Sequence, residues 1–352
     1  FLSGANPIYP KDYYAKVGPK GFGMAPIGTG PYKVTELEPG QKVVMVKNED
    51  YFKDSPKGQP SIGKIVWRTL PEMNTQVAEL MTGSLDWIWL VAPDQAERLA
   101  KMPNLTVIPA ETMRVGFIMM DAADRTGEQG MENPFKKLEV RRAVNHAINK
   151  GAISKSLVGG DSRSVDSACF PTQFGCTDDV MKYEYDPEKA KKLLAEAGYP
   201  DGFETILYGY RNRPYAEAMV GDLAAVGIKA KLMMMKYSAL REKHRAGKVQ
   251  FNFQTWGSYS INDVSAFVSY FFEFSEDDMA RDPQVRDWLL EADTSIDSEK
   301  RKMLYKKALQ RIAEQAYFAP LFTYVSNNCF SKDLDFTPYP DAVPRFFQAK
   351  WK

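Results

Sequence analysis

The residues of this sequence best suited to hold a ligand lie in the segment YGYRNRPYAEA, at 208–218. A strand-like run is followed there by Arg211, Asn212 and Arg213, and Pro214 then favours the start of a helix. Guanidinium groups make paired, charge-assisted hydrogen bonds to carboxylates. In open α/β sheets, ligands bind at the carboxyl ends of the strands. We therefore expect this segment to contact a ligand, with a surface ion pair as the alternative for Arg213.

A second candidate is the glycine-rich segment PIGTGPYKV, at 26–34. A phosphate-binding loop needs backbone N–H groups that converge at the start of a helix. Pro31 lacks that donor, and the residues after it alternate as in a strand. We interpret the segment as a tight turn that enters a strand, and we expect no nucleotide cofactor.

Catalytic and metal-binding motifs are missing from the sequence. Its two histidines, His146 and His244, and its three cysteines do not have the spacing of a metal site. There is no GxSxG elbow and no CxxC motif. The sequence has 45 carboxylate side chains, but their number alone does not indicate a hydrolase that uses a pair of carboxylates. Cys169 and Cys176, in ACFPTQFGC, either form a disulfide or remain two thiols, and Cys329 is predicted to be a buried small hydrophobe. We expect no metal, no cofactor and no enzyme activity.

The composition is that of a soluble globular protein of about two domains. The 352 residues are 44% hydrophobic and 26% charged, with a net charge of +1. This balance gives no electrostatic case for a nucleic-acid partner. No apolar run approaches the length of a membrane span, and the chain begins at Phe1 without a signal-peptide pattern, so we expect a mature or trimmed protein.

Predicted strands and helices alternate between residues 186 and 325, and they would position the candidate ligand-binding residues. This alternation predicts an α/β architecture with a mainly parallel sheet. The clearest helix spans 186–198, with Asp186 as its N-cap and Gly198 at its end. A second helix is predicted over 138–149. Arg141 and Arg142 lie off its apolar stripe, so they are expected in solvent.

Six segments occur in the order found in one protein family and cover nearly the whole chain. They are PIGTGPYKV, VRRAVNHAINKGAI, YDPEKAKKLLAEAGYPDGF, LAAVGIKAKL, FQTWGS and FTPYPDAVPRFF. Together they resemble the extracytoplasmic solute-binding proteins of ABC importers in the peptide, opine and nickel group, called family 5.

This resemblance implies an α/β, two-lobe periplasmic-binding-protein fold (type II-like) that closes on a ligand about hinge strands. The two strands that cross from one lobe to the other would lie near residues 117–121 and 326–330. Lobe I would then be residues 1–119 plus 328–352, and lobe II residues 120–327. The GTGPY turn normally lies well inside the chain of such proteins, so the resemblance also implies that the first lobe is incomplete at its N-terminal side.

The resemblance also suggests ligand contacts. Arg213 with Pro214 and Tyr215 looks like the Arg-Pro-Tyr of dipeptide-binding relatives, whose arginine holds the ligand carboxylate. The Trp256 side chain would line the ligand cavity. The alternative is that it packs in the hydrophobic core. Dipeptide binders have an aspartate three residues after this tryptophan to hold the α-amine, but Tyr259 stands there. Without this aspartate, a neutral or acidic ligand is favoured over an ordinary peptide. Asp263 could still bind an amine from a shifted position.

The function implied is that of a periplasmic (extracytoplasmic) receptor rather than an enzyme. It would present a small molecule, a peptide, an opine or a sugar derivative, to an ABC permease in the inner membrane. Arg211 and Asn212 are expected to join Arg213 in the site. Two alternatives remain open: a carboxylate-dependent hydrolase on the same scaffold, and a truncated fragment that binds no ligand.

Overall fold

The computed structural model describes residues 8–258 and 261–352. The chain divides into two compact units. Unit 1 comprises Phe1–Ala110 with Ser326–Lys352, and unit 2 comprises Glu111–Val325. The lobe boundaries predicted from the family resemblance, 1–119 plus 328–352 and 120–327, stay a prediction.

The helices and strands follow one another closely along the chain. Up to residue 120 they are α1 (Lys11–Met24), β1 (Tyr32–Glu38), β2 (Lys42–Lys47), β3 (Lys64–Arg68), α2 (Met73–Met81), β4 (Trp87–Ile88), α3 (Pro93–Leu99) and β5 (Leu105–Met120). Beyond residue 120 they are α4 (Leu138–Ala147), α5 (Lys150–Ile153), α6 (Pro187–Glu196), β6 (Phe203–Gly209), α7 (Arg213–Ala225), β7 (Ile228–Met234), α8 (Tyr237–Arg245), β8 (Phe251–Gly257), α9 (Ser265–Phe272), α10 (Pro283–Thr294), α11 (Ser298–Glu314), β9 (Phe318–Ser331), β10 (Leu334–Asp335) and β11 (Lys350–Trp351).

Helix α6 begins where its sequence signals predict. The Asp186 carboxylate accepts a hydrogen bond from the Lys189 backbone N–H at 2.9 Å, which satisfies one of the free donors of the first turn. Helices α1 and α9 were not predicted from the sequence. None of the helices in the described part of the chain has both the length and the apolar character needed to cross a bilayer.

The sheet of unit 2 has the strand order β9-β5-β8-β6-β7. Strand β6 runs parallel to β7 and to β8, whereas β5 runs antiparallel to β8. The prediction of a mainly parallel sheet is therefore wrong, because the sheet is mixed. The alternation of strands and helices after 186 predicts only how neighbouring elements connect. It carries no information on β5, which enters the sheet from far upstream in the chain.

The end of β5 is buried on both of its faces. Phe117 and Met119 belong to an apolar cluster with α9, α10 and α11, whereas Ile118 and Met120 belong to a second cluster with α4, α6 and α7. All four side chains are fully buried. Because successive side chains of a strand point to opposite faces, a run of apolar residues is what a strand between two helical layers requires.

The prediction that Arg141 lies in solvent is wrong, because this residue is only 4% exposed. Its guanidinium donates to the carbonyl oxygens of Phe135, Lys136 and Gln315 at 2.9–3.0 Å. Burial lowers the pKa of Arg141 to about 10. The carbonyls left free at the end of α11 supply part of this acceptor set, which a helical periodicity within α4 cannot reveal.

Unit 1 contains a separate antiparallel sheet in which β2 lies between β1 and β3. In this unit the end of β9 pairs with β4, with Trp87 opposite Phe330 and Ile88 opposite Cys329. Cys329 is a buried free thiol in the cluster around Leu80 and Leu99, as predicted.

A close backbone approach aligns β6 with β7. Gly202 has φ +76°, and a Cβ at this position would overlap the carbonyl of Gly227. The Phe203 N–H donates to that same carbonyl at 3.2 Å, directly before the parallel pairing of Phe203 with Ile228. Glycine is therefore required at residue 202 both by its conformation and by the lack of space.

We expect Gly202→Ala to lower the free energy of unfolding by at least about 2 kcal/mol, because the new methyl group forces the two loops apart. The matched control is Gly221→Ala in the middle of α7, where a Cβ meets nothing within 4 Å. That exposed helical change should raise stability by about 0.5–1 kcal/mol. Urea unfolding of both variants measures the difference, and equal stabilities would contradict the steric argument.

Candidate functional site

A set of guanidinium, hydroxyl and amide groups lies together in unit 2, around the carboxyl ends of β6 and β8. We call it the arginine–tyrosine cluster, and its members are Arg114, Tyr210, Arg211, Asn212, Tyr215, Thr255 and Tyr324. They come from β5, from β8, from β9, and from the turn between β6 and α7 with the first residues of that helix.

Thr255 joins the two arginines of the cluster. Its Oγ1 lies 2.9 Å from Nη1 of Arg114, 3.5 Å from Nη1 of Arg211 and 3.0 Å from the Tyr210 hydroxyl. The Arg211 guanidinium also lies 5.8 Å from the centre of the Tyr210 ring, within range of a cation–π contact. Two cationic groups are thus held beside one buried hydroxyl.

Strand register positions Arg114. It stands opposite Gly257 in the antiparallel pair of β5 and β8. A Cβ at Gly257 would lie only 3.0 Å from Nη2 of Arg114, so the absence of a side chain there gives the guanidinium room to lie across β8. Neither Arg114 nor Thr255 was predicted from the sequence. A lone arginine in an otherwise apolar part of a strand is a signal that could have identified Arg114, whereas Thr255 has no such signal.

Asn212 shapes the turn that carries Arg211. Its backbone is left-handed, with φ +53° and ψ +52°, a conformation that asparagine tolerates better than most residues. Its side-chain oxygen accepts a hydrogen bond from the Tyr324 hydroxyl at 3.2 Å. This bond fixes the turn against β9, so Arg211 leaves the end of β6 in a defined direction.

The electrostatics of the cluster favour a bound anion. Burial raises the pKa of Tyr324 and of Tyr215, although the nearby Arg211 charge opposes the shift, so both hydroxyls stay protonated. The Tyr324 hydroxyl donates its hydrogen to Asn212, which leaves the Tyr215 hydroxyl as the donor for a ligand. Within residues 8–258 and 261–352, Arg211 contacts the Thr255 hydroxyl and the Tyr210 ring but no carboxylate. A carboxylate in front of Arg211 would supply the missing counter-charge.

Arg213, the strongest ligand contact predicted from the sequence, is found in a surface ion pair. Its Nη1 lies 2.9 Å from Oε1 of Glu217, one turn further along α7, and its side chain is 60% exposed. This is the alternative role considered for it above. Its role in ligand binding stays a prediction.

Trp256 packs within unit 2. Its ring stacks on Tyr270 with centroids 4.4 Å apart, and its Nε1 donates to the carbonyl oxygen of Ala266 at 2.6 Å. These contacts correspond to the core alternative, and its role as a cavity wall stays a prediction. Tyr259 lies outside the described residues.

Asp263 is held in a network of charged and polar side chains. Its Oδ2 lies 2.7 Å from Nη2 of Arg301, and its Oδ1 accepts from the Ser265 backbone N–H at 3.0 Å. The same Arg301 nitrogen donates to the Tyr305 hydroxyl, which in turn donates to Asp293 at 2.6 Å. Both oxygens of Asp263 therefore have partners in the protein, which favours a structural role, and binding of a ligand amine by this residue stays a prediction.

Cys169 and Cys176 are joined as a disulfide, with their Cα atoms 5.8 Å apart. The loop between them is tied to the Asp263 segment by a parallel bridge between Phe174 and Asp263. Of the two alternatives left open by the sequence, the structure has the disulfide. In the part of the chain that the structure describes, no group of three or more His, Cys, Asp or Glu side chains is arranged to hold a metal ion.

Comparison with known proteins places this chain in a family. The model of the bacterial extracellular solute-binding proteins, family 5 Middle, matches residues 1–278. The chain belongs to this family. Heme-binding protein A of Haemophilus influenzae is 30% identical over 334 residues, which are 89% of this chain and 58% of the relative. The glutathione-binding protein GsiB of Escherichia coli is 29% identical, over 90% of this chain and 62% of the relative. The chain thus spans less than two thirds of these relatives.

Solved structures confirm the predicted α/β periplasmic-binding-protein fold. The periplasmic binding protein DppA from Helicobacter pylori, in complex with the peptide STSA, matches with a TM-score of 0.85 and 27% identity over 98% of this chain and 68% of that chain. The binding protein AgaA from A. tumefaciens R10, in complex with agropinic acid, has the same fold, with a TM-score of 0.82 and 24% identity over 99% of this chain and 72% of that chain.

For this family 5 chain we expect Asp263→Ala to lower the free energy of unfolding by about 3 kcal/mol, because the change leaves Arg301 without its carboxylate partner. The two side chains are only 15% and 13% exposed. Arg213→Ala, which breaks an exposed pair, should cost less than about 1 kcal/mol. Urea unfolding compares the two variants. Unchanged stability of Asp263→Ala together with weakened ligand binding would instead make Asp263 a ligand residue.

Glu273 gives a pH-dependent prediction. Burial and the neighbouring Asp293 carboxylate raise the pKa of Glu273 to about 7. A carboxyl group whose pKa is raised by folding stabilises the protein while protonated, so its contribution is lost as the pH rises from about 4.5 to about 7. Glu273→Gln should remove this loss, so the melting temperature of the variant relative to the parent should rise between pH 5 and pH 8.

The matched control for this pH experiment is Glu204→Gln, which replaces an exposed glutamate on β6. Its melting temperature should follow that of the parent across the same range. A parallel pH dependence of the parent and Glu273→Gln would refute the assignment.

Proposed function

We propose that this protein is the solute-binding component of an ABC importer, that it acts in the periplasm, and that it binds a small solute carrying a carboxylate. Membership of family 5 and the binding proteins among its relatives support this proposal. They favour a receptor over the two alternatives considered from the sequence, a hydrolase on the same scaffold and a fragment that binds nothing. The solute would be passed to a permease in the inner membrane.

The observation that carries the proposal is the arginine–tyrosine cluster. Arg114 and Arg211 converge on Thr255, and Arg211 meets no carboxylate in the described part of the chain. A guanidinium presents a planar fork of donors to a carboxylate, and the protonated Tyr215 hydroxyl adds a neutral donor nearby. A ligand carboxylate would therefore replace the water around Arg211 with directed hydrogen bonds.

The compounds named for relatives agree with this chemistry. Glutathione, the peptide STSA, agropinic acid and mannopinic acid all carry a carboxylate. We infer that the ligand belongs to this class, a peptide or an opine-like compound. Arg211 and Asn212 are its proposed contacts in unit 2. Arg213, Trp256, Tyr259 and Asp263 are retained as weaker proposals.

The direct test is a thermal-shift and calorimetric screen against glutathione, the peptide STSA, agropinic acid and mannopinic acid. A ligand that binds the folded state raises the melting temperature in proportion to ln(1 + [L]/Kd). Chromatography of the incubated compounds detects any product. No shift with any carboxylate compound would count against the proposal, and turnover would favour the hydrolase.

We expect Arg211→Gln to weaken binding of the carboxylate ligand by about tenfold to a hundredfold, because it removes charge-assisted hydrogen bonds. Arg211→Lys should retain part of the affinity, since lysine keeps the charge but loses the planar fork. Isothermal titration calorimetry measures each dissociation constant.

Two further variants make this experiment decisive. Arg286→Gln is the matched control, because Arg286 lies on α10 and pairs with Asp287. Arg213→Gln tests the residue named from the sequence. Full loss in Arg213→Gln with an unchanged Arg211→Gln would transfer the carboxylate contact from Arg211 to Arg213.

A further inference from the structure

A short loop closed by the disulfide lies beside the strands that carry the arginine–tyrosine cluster. We call residues 169–176 the disulfide loop, with Cys169 and Cys176 at its ends. Within it, the Phe170 N–H donates to Oε1 of Gln173 at 3.0 Å, and the Cys176 N–H donates to the Gln173 carbonyl oxygen at 3.1 Å. The covalent link and these hydrogen bonds make the loop one compact unit.

One end of the disulfide loop packs on β5. The Phe170 side chain is buried in an apolar cluster with Val115 and Val165, and Met113 packs against the same cluster. Met113 and Val115 are the two neighbours of Arg114 along the strand. Because successive side chains of a strand point to opposite faces, Phe170 supports this part of β5 from the face opposite the Arg114 side chain.

The other end of the disulfide loop is hydrogen-bonded to residues 261–264, which lie between β8 and α9. The Phe174 N–H donates to the Asn262 carbonyl oxygen at 3.2 Å, and the Val264 N–H donates to the Phe174 carbonyl oxygen at 2.9 Å. The side-chain amide of Gln173 donates to two further carbonyl oxygens of this segment, at 3.3 and 3.4 Å. Since the segment takes part through its backbone groups, these bonds fix the path of the chain.

Both ends of the loop act on the same corner of the sheet. The Ile261 N–H donates to the Ser258 carbonyl oxygen at 2.9 Å, and the Ser258 N–H donates to the Met113 carbonyl oxygen at 3.1 Å. Ser258 follows Thr255 closely in the chain, and Met113 directly precedes Arg114. The disulfide loop therefore supports both chain segments whose side chains meet in the hydrogen bond between Arg114 and Thr255.

We propose that the disulfide loop positions the arginine–tyrosine cluster for a ligand carboxylate, so that the affinity for the ligand depends on the disulfide. This inference rests on the proposed function, because it concerns the same site. A disulfide restricts the conformations open to the chain between its cysteines. Without that restriction the loop and the two segments that it supports must be ordered when the ligand binds, which lowers the affinity. All of these contacts lie within unit 2.

Reduction with dithiothreitol tests the proposal on the chain as it stands. The dithiol is oxidised to its own cyclic disulfide, and its two hydrogens pass to Cys169 and Cys176, which become thiols. In the ligand-free protein, hydrogen exchange measured by mass spectrometry should become faster around Ser258 and Val264, because their acceptors are no longer held in place. Exchange within α6, which makes none of these contacts, should stay unchanged.

Affinity is measured by isothermal titration calorimetry with the peptide STSA, which carries no thiol, and with its C-terminal amide. Reduction should weaken binding of STSA by about tenfold, because its carboxylate depends on the geometry of the arginine–tyrosine cluster. The amide lacks that carboxylate and should lose less than about twofold. A disulfide that only stabilised the fold would lower both affinities equally.

The matched control is the double variant Cys169→Ala with Cys176→Ala, in which dithiothreitol has no disulfide to reduce at this loop. Its affinity for STSA should equal that of the reduced parent and should not change on treatment with dithiothreitol. A cooperative thermal transition checks that the reduced parent and the variant are folded.

Unchanged exchange around Ser258 and Val264 after reduction would overturn the proposal, and so would equal losses of affinity for STSA and its amide. If the oxidised protein binds STSA no more tightly than the amide, the carboxylate contact of the proposed function is refuted instead. The exchange measurement needs no ligand, so it then decides by itself whether the disulfide loop positions these segments.

Discussion

Burial of β5 on both of its faces is the constraint from which the geometry of unit 2 follows. Phe117 and Met119 need one helical layer, and Ile118 and Met120 need the other. A slip of one residue would exchange the two faces, so the register with β8 is strongly specified. That register sets Arg114 opposite Gly257 and brings its guanidinium to Thr255. The packing of apolar side chains thus determines where a cationic group can stand.

The arginines of unit 2 differ in how their charge is compensated. Arg141 is enclosed and gives its N–H groups to backbone carbonyls, whereas Arg301 has Asp263 and Arg213 has Glu217. These partners make the side chains part of the fold or of its surface. Arg211 has a hydroxyl and a ring as neighbours in the described residues. Our proposal of Arg211 as a ligand contact rests on the lack of a carboxylate partner within residues 8–258 and 261–352, rather than on the presence of an arginine.

Unit 2 encloses its strands between two helical layers. The strands β9, β5, β8, β6 and β7 lie side by side, with α9, α10 and α11 packed on one face and α4, α6 and α7 on the other. The central strands therefore have neighbours on either side and apolar layers above and below.

Elements with local signals could be predicted from the amino-acid sequence. These include α6 with its Asp186 cap, the polar turn at Arg211 after β6, and the burial of Cys329. Local periodicity and capping depend on residues a few positions apart, so a single chain segment contains the information. Resemblance to family 5 added the fold, which the solved structures confirm, and the proposed class of function.

The tertiary fold determines which distant groups meet. It placed Arg114 beside Thr255, 141 residues later in the chain, and joined Asp263 to Arg301. It also buried Arg141, which helical periodicity had assigned to solvent. Such contacts depend on which surfaces of separate elements must be removed from water together, and no local pattern encodes that choice.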